Sequence, residues 1–301
     1  METHIPYLIP GDTIAIVAPA KAIDASLVDE AKLFFETAGF RVKIGKHCKG
    51  EFHYFSGTDW ERASDFQAAI EDPDVKAIIC ARGGYGCIRI VDLINWAGML
   101  RFPKWIVGFS DVTVFHQRMQ RYQLPSIHAT MPLNFSSNSD AARSSLLDAL
   151  CGKSLVYELE SLAENKIGCA TGTLIGGNLS ILYSLLGTDE QPNYKGCVLF
   201  VEDLAEQLYH IDRMFYAFAK AGVLDEISGL IVGGMTDLKD TATPFGQSLS
   251  EIILNHFALR NIPIAFGFPA GHIDDNRALI FGTEVELDVA EKEVSLRIVA
   301  N

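Results

Sequence analysis

The sequence is short of positive charge. It has 25 lysines and arginines against 38 aspartates and glutamates, a formal net charge of -13. So acidic a surface repels phosphate backbones and anionic headgroups, which argues against nucleic-acid and membrane partners. No apolar run is long enough to cross a bilayer. The opening stretch METHIPYLIPGDTIAIVAPA has no basic segment ahead of its apolar part, so no secretory signal is expected and a cytoplasmic location is. Common metal and phosphate signatures are missing too. There is no H-E-x-x-H, H-x-H or C-x-x-C, and neither G-x-x-x-x-G-K-[ST] nor G-x-G-x-x-G occurs. Neither a metal nor a cofactor is implied. The six cysteines, Cys48, Cys80, Cys87, Cys151, Cys169 and Cys197, are scattered and read as reduced, buried small hydrophobes.

What is present looks like a globular enzyme, with 49% hydrophobic and 21% charged residues. A chain of 301 residues favours two domains over one core. The first half alternates strand and helix patterns. Strands are expected at Thr13–Ala18, Phe40–Ile44, Val75–Cys80 and Trp105–Gly108. Helices are expected at Ala25–Ala38 (with Asp24 as N-cap), Thr58–Ile70, Ile88–Trp96 and Val112–Tyr122. This alternation predicts a parallel sheet covered by helices, with ligands bound beyond the carboxyl ends of its strands. Residues 136–165 read as the connection between an N-terminal α/β domain at 1–135 and a second, mixed α/β domain at 166–301. In the second domain strands are expected at Gly168–Ile175, Cys197–Val201, Gly229–Val232, Pro263–Phe266, Ala278–Phe281 and Val294–Val299, with helices near Leu208–Ala221 and Gln247–Phe257.

The strongest chemical signal is Ile106-Val107-Gly108-Phe109-Ser110-Asp111-Val112-Thr113. A serine on so sharp a strand-to-helix turn is held out at the sheet edge, facing backbone N–H groups at the start of its helix. The common elbow pattern has glycine two residues after the serine, where this chain has Val112. The competing reading is that Ser110 or Asp111 only caps the helix.

A nucleophilic serine needs a base, and the chain has eight histidines. His116 lies six residues further along the same helix, about 240° around its axis, and so faces away. His4, His47 and His53 fall in polar N-terminal segments, while His210 and His256 fit helices. His128 follows a short strand and is a second candidate. His272 is the best placed, in the loop Phe268-Pro269-Ala270-Gly271-His272-Ile273-Asp274 after a strand. The carboxylate that would orient it is Glu202, at the end of the apolar run Leu199-Phe200-Val201, with Asp203 and Glu206 as rivals. Donors for an oxyanion are available from the Asp111 N–H and the Gly83-Gly84 turn. Arg82 beside that turn suits a substrate carboxylate, or a structural salt bridge.

Six segments, in order, resemble the LD-carboxypeptidase family of serine peptidases, which includes the microcin-C immunity peptidases. They are GDTIAIVAPA, ARGGYG, GFSDVT, GTLIGGNLSIL, LFVEDLAEQLYHIDRMF and FGFPAGHIDDNRALIFG. The resemblance implies a Ser110–His272–Glu202 triad and an oxyanion hole from the N–H groups of Gly84 and Asp111. It implies an N-terminal domain like the class I glutamine amidotransferases, a barrel-like C-terminal domain and a homodimer. The implied reaction releases terminal D-alanine from a muropeptide tetrapeptide in peptidoglycan recycling. Ile280 departs from the family, which often has proline there. The alternatives are an immunity-type peptidase acting on aminoacyl nucleotides and a non-catalytic small-ligand binding protein. Against the immunity type, Trp60, Trp96 and Trp105 all fall in expected helices or strands, none on a cleft loop that would stack a nucleobase.

Overall fold

A computed structural model describes residues 5–299. Met1–His4, which includes the start of the N-terminal stretch and His4, lies outside the described residues. The chain forms two compact units, Met1–Lys153 with Asp274–Ile280, and Ser154–Ile273 with Phe281–Asn301.

The strands in chain order are β1 (Thr13–Val17), β2 (Arg41–Ile44), β3 (Val75–Cys80), β4 (Trp105–Gly108), β5 (Ser126–His128), β6 (Val156–Glu160), β7 (Gly168–Asn178), β8 (Val198–Leu204), β9 (Gly229–Thr236), β10 (Ile264–Ala265), β11 (Leu279–Phe281), β12 (Glu284–Val289) and β13 (Glu293–Ile298). In the first unit they make a six-stranded sheet of order β11-β5-β4-β3-β1-β2. Strands β1 to β5 run parallel. The continuous apolar runs TIAIV and VKAIIC are what a sheet covered on both faces requires, and Ile14, Ile16, Ile78 and Ile79 are fully buried. Burying each such side chain contributes roughly 1.5–3 kcal/mol. Helix Asp59–Glu71 starts at a full capping box, in which Thr58 and Glu61 satisfy each other's backbone N–H.

The second unit holds a seven-stranded sheet, order β10-β9-β8-β7-β12-β13-β6. Its first four strands are parallel and the rest antiparallel. The sheet is open, so the mixed α/β second domain read from the residues forms without the barrel-like closure that the resemblance implies. Alternating apolar residues of the β12–β13 hairpin extend one edge without returning to β10, and closure would need that return. Leu199, Val201, Ile211, Phe215, Leu230 and Phe257 are among the core residues packed between this sheet and its helices.

Several expectations shift. Ile88–Trp96 is not one helix but a short turn Cys87–Ile90 and a 3-10 turn Val91–Leu93, after which Ile94 is extended. There the Trp96 indole N–H donates to the Val91 carbonyl at 2.7 Å, and Gln67 Oε1 accepts from the Asn95 N–H at 2.6 Å. These side-chain bonds, one local and one distant in sequence, replace the helical ones. Residues 136–165, read as a connection, contain helix Asp140–Leu150 in the first unit and β6 in the second. Of the cysteines, Cys169 is exposed, with its thiol 2.9 Å from Asp288, and Cys151 is half-buried; the other four are buried. Among the described residues no helix is long and apolar enough to cross a membrane.

Candidate active site

Ser110 sits where β4 gives way to the turn Ser110–Val112 and the helix Thr113–Arg121. Its backbone is left-handed, with φ of 63°. That conformation strains any residue with a Cβ and is held here by its surroundings. The glycine that makes room is Gly108 rather than position 112. A Cβ on Gly108 would lie 2.9 Å from a Val112 methyl, so the smaller residue precedes the serine and the valine packs onto it.

His116 is a buried brace. Its Nε2 is 2.8 Å from the Gly108 carbonyl and its Nδ1 is 2.8 Å from the Ser126 hydroxyl. Burial pushes its pKa down to about 4, so the ring is neutral, with Nε2 donating to the carbonyl and Nδ1 accepting from Ser126. His128 is fully buried at the end of β5, its ring 5.8 Å from that of Phe109. His210 pairs with Glu206 and His256 with Asp212, both on helices.

The loop after β3 lies against the serine turn. A Cβ on Gly83 would come within 2.9 Å of Ser110 Cβ and 3.1 Å of the Asp111 nitrogen, so only glycine allows this approach. Gly84 follows with φ of 109°. Arg82 donates from Nη1 to the Ala22 carbonyl at 3.0 Å, and its Nε is buried without a hydrogen-bond partner. Among the described residues no carboxylate is found paired with Arg82, whose pKa burial lowers. Beside this loop, exposed Trp60 lines a cavity of about 450 Å³ with Phe52, Phe55, Asp59, Arg89 and Leu93.

In the second unit the structure brings Glu202 and His272 together. Glu202 lies inside β8, not after it, and is fully buried. Its Oε2 accepts from His272 Nδ1 at 2.5 Å and from the His272 backbone N–H at 3.1 Å. With the proton on Nδ1, Nε2 of the neutral ring is the acceptor. Burial pulls the His272 pKa down, but the charge and hydrogen bond of Glu202, with the charge of Asp203, outweigh it and leave the pKa raised. Asp203 is occupied elsewhere. It accepts from Asn178 Nδ2 at 3.0 Å and from the N–H groups of Ser180 and Leu204 at 2.8 Å, and burial lifts its pKa to about 6.

Three glycines place the histidine, and sequence reasoning did not single them out. The β8–β9 register slips between Val201 and Asp203, leaving Gly233 and Gly234 of β9 opposite Glu202. A Cβ on Gly233 would be 2.5 Å from the Ala270 carbonyl, and the Gly234 N–H donates to that carbonyl at 2.8 Å. Thr236 Oγ1 donates to the His272 carbonyl at 3.0 Å. Gly271 has φ of 103°, and a Cβ there would sit 2.6 Å from Glu202 Cβ. The usable signal was the Gly-Gly pair inside a strand, which marks close backbone approach. Gly271→Ala is expected to destabilise the fold by roughly 1–3 kcal/mol and displace His272, read as a melting temperature lower by several degrees in thermal unfolding. An unchanged melting temperature would show that the loop yields without cost.

Residues 14–129 match the LD-carboxypeptidase N-terminal domain and residues 171–287 the LD-carboxypeptidase C-terminal domain. A "Probable murein peptide carboxypeptidase" of Bacillus subtilis is 33% identical over 288 residues, covering 94% of this chain and 90% of that protein. "Microcin C7 self-immunity protein MccF" of Escherichia coli is 25% identical over 322 residues, covering 95% of this chain and 93% of its own length. The crystal structure of muramoyltetrapeptide carboxypeptidase from Oxalobacter formigenes matches with a TM-score of 0.88 at 27% identity, over 96% of this chain and 99% of that one. With both domains matched in order, and a relative 33% identical over 94% of this chain, the chain belongs to the LD-carboxypeptidase family.

Proposed function

We propose that this protein is a serine LD-carboxypeptidase that cleaves the amide between an L-configured centre and the terminal D-alanine of a muropeptide tetrapeptide, as part of cytoplasmic peptidoglycan recycling. The observation that carries the reading is the 2.5 Å Glu202–His272 pair in a chain that also holds Ser110 on a left-handed strand-to-helix turn. The substrate class rests on relatives named for murein peptide and muramoyltetrapeptide carboxypeptidases.

In this mechanism His272 Nε2 takes the Ser110 proton as Oγ attacks the carbonyl carbon. The backbone N–H groups of Gly84 and Asp111 donate to the oxyanion. The C–N bond then breaks, and the imidazolium gives its proton to the departing amine of D-alanine. Water, deprotonated by the same ring, releases the acyl group and restores the serine. Glu202 holds the Nδ1–H of His272, fixing the tautomer and stabilising the imidazolium. Arg82 takes the carboxylate of the leaving residue. The reading requires Ser110 Oγ and His272 Nε2 to meet during turnover, and a homodimer is the expected working form.

The test is digestion of a muropeptide tetrapeptide by purified protein, followed by mass spectrometry, with an aminoacyl nucleotide as a second substrate. Free D-alanine and a tripeptide are expected. Turnover of the nucleotide alone would move the assignment to the MccF type, and turnover of neither would count against catalysis.

A further inference from the structure

The two donors assigned to the oxyanion come from separate segments, Gly84 from the loop after β3 and Asp111 from the turn after β4. The β3–β4 ladder ends at Ile79 paired with Val107, short of both. Some other contact has to set their spacing. The peptide unit joining Gly86 to Cys87 supplies it. Its N–H donates to the Asp111 carboxylate at 2.8 Å, and its carbonyl accepts from Arg62 Nη1 at 3.1 Å. One peptide group is thus gripped at both ends by side chains that are each 1% exposed. Arg62 is itself anchored to the carbonyls of Pro19 and Gly57 and to the Asp59 carboxylate.

Burying a carboxylate is costly, and burial does raise the pKa of Asp111, with its hydrogen bonds to Cys87 and, after them, the nearby Arg62 charge working the other way. A neutral acceptor would make the same bond at less cost if only stability were at stake. The grip falls on the loop whose Gly83 packs so close to the serine turn that an added Cβ would meet Ser110 and the Asp111 nitrogen, where a drift of about 1 Å costs on the order of 100-fold in rate.

We propose that Asp111, through its side chain, is a positioning residue for the oxyanion site: its carboxylate ties the Gly83–Gly86 loop to the serine turn and sets the distance between the Gly84 and Asp111 N–H donors. This rests on the reading of Ser110 as nucleophile.

The test compares Asp111→Ala and Asp111→Asn in the full chain, with kcat expressed per serine titrated by a fluorophosphonate probe. Asp111→Ala is expected to lower kcat by about 30- to 300-fold with KM nearly unchanged, because one donor of the hole is displaced. Asp111→Asn keeps an acceptor for the Cys87 N–H and is expected to recover at least about tenfold of that loss. A role in stability alone would lower the melting temperature and the titrated fraction, but not kcat per titrated site. The proposal is overturned if Asp111→Ala keeps its kcat per site within threefold, or if the two variants are equally impaired. If the alanine variant fails to fold, the similarly shaped Asp111→Leu replaces it under the same criteria. Absence of probe labelling at Ser110 in the unaltered protein would overturn the nucleophile assignment, and this inference with it.

Discussion

Ser110→Ala is expected to reduce kcat by about 10⁴-fold or more while leaving the fold intact. The substitution removes one oxygen from a half-buried position, and alanine meets the same left-handed backbone that serine already occupies. The remaining hydrolysis would come from bound, oriented substrate and the backbone donors alone. Steady-state kinetics on a muropeptide tetrapeptide, with a fluorophosphonate label located by peptide mapping, gives the answer. Activity within tenfold of the parent would remove the serine from the mechanism and leave a binding protein or a different nucleophile.

Glu202→Gln should come close behind, lowering kcat by roughly 10³- to 10⁴-fold, because an amide can present its N–H₂ to Nδ1 and favour the wrong tautomer. It also makes a prediction about pH. In the proposed mechanism His272 accepts a proton only when neutral, and its pKa is raised above the ordinary value of 6.5. The acid limb of kcat/KM in the parent should therefore lie above that value. Without the Glu202 charge and hydrogen bond, burial is the larger influence, and the limb should move to lower pH even as the plateau falls. The sign for stability is linked. A raised folded-state pKa means that the pair stabilises the fold fully below the unfolded histidine pKa, and that this contribution is lost as pH rises through the folded value. A limb that stays in place in Glu202→Gln would separate Glu202 from the titration of His272.

Strong local patterns were legible in the sequence. Val75–Cys80 and Trp105–Gly108 coincide with β3 and β4, since unbroken apolar runs bounded by turn residues have few other uses. The serine turn was legible for the same reason, as an apolar strand ending three residues before a helix. What escaped is set by partners distant in sequence. The sequence puts Glu202 after a strand, because nothing in VEDL shows that β8 continues to Leu204 alongside Thr236. The choice among Glu202, Asp203 and Glu206 could not be made from spacing. In the structure Glu202 is the one bonded to His272, while Asp203 holds the start of helix Leu179–Ser184 and Glu206 bonds His210. Open sheet or barrel is likewise a matter of which edges pair, and hairpin-like sequences such as EVELDV and EVSLRI serve either. The false helix at Ile88–Trp96 shows the opposite error, in which helical spacing of apolar residues is satisfied by two short turns.

The left-handed backbone at residue 110 bears on any effort to make this chain more heat-resistant. Glycine visits that region freely, whereas a Cβ there costs about 1 kcal/mol or more. A library ranked by survival after heating would therefore drift toward glycine at 110 and, with Ser110 as the proposed nucleophile, collect variants that are robust and inert. Thermostability campaigns would have to hold this codon fixed or score turnover alongside survival.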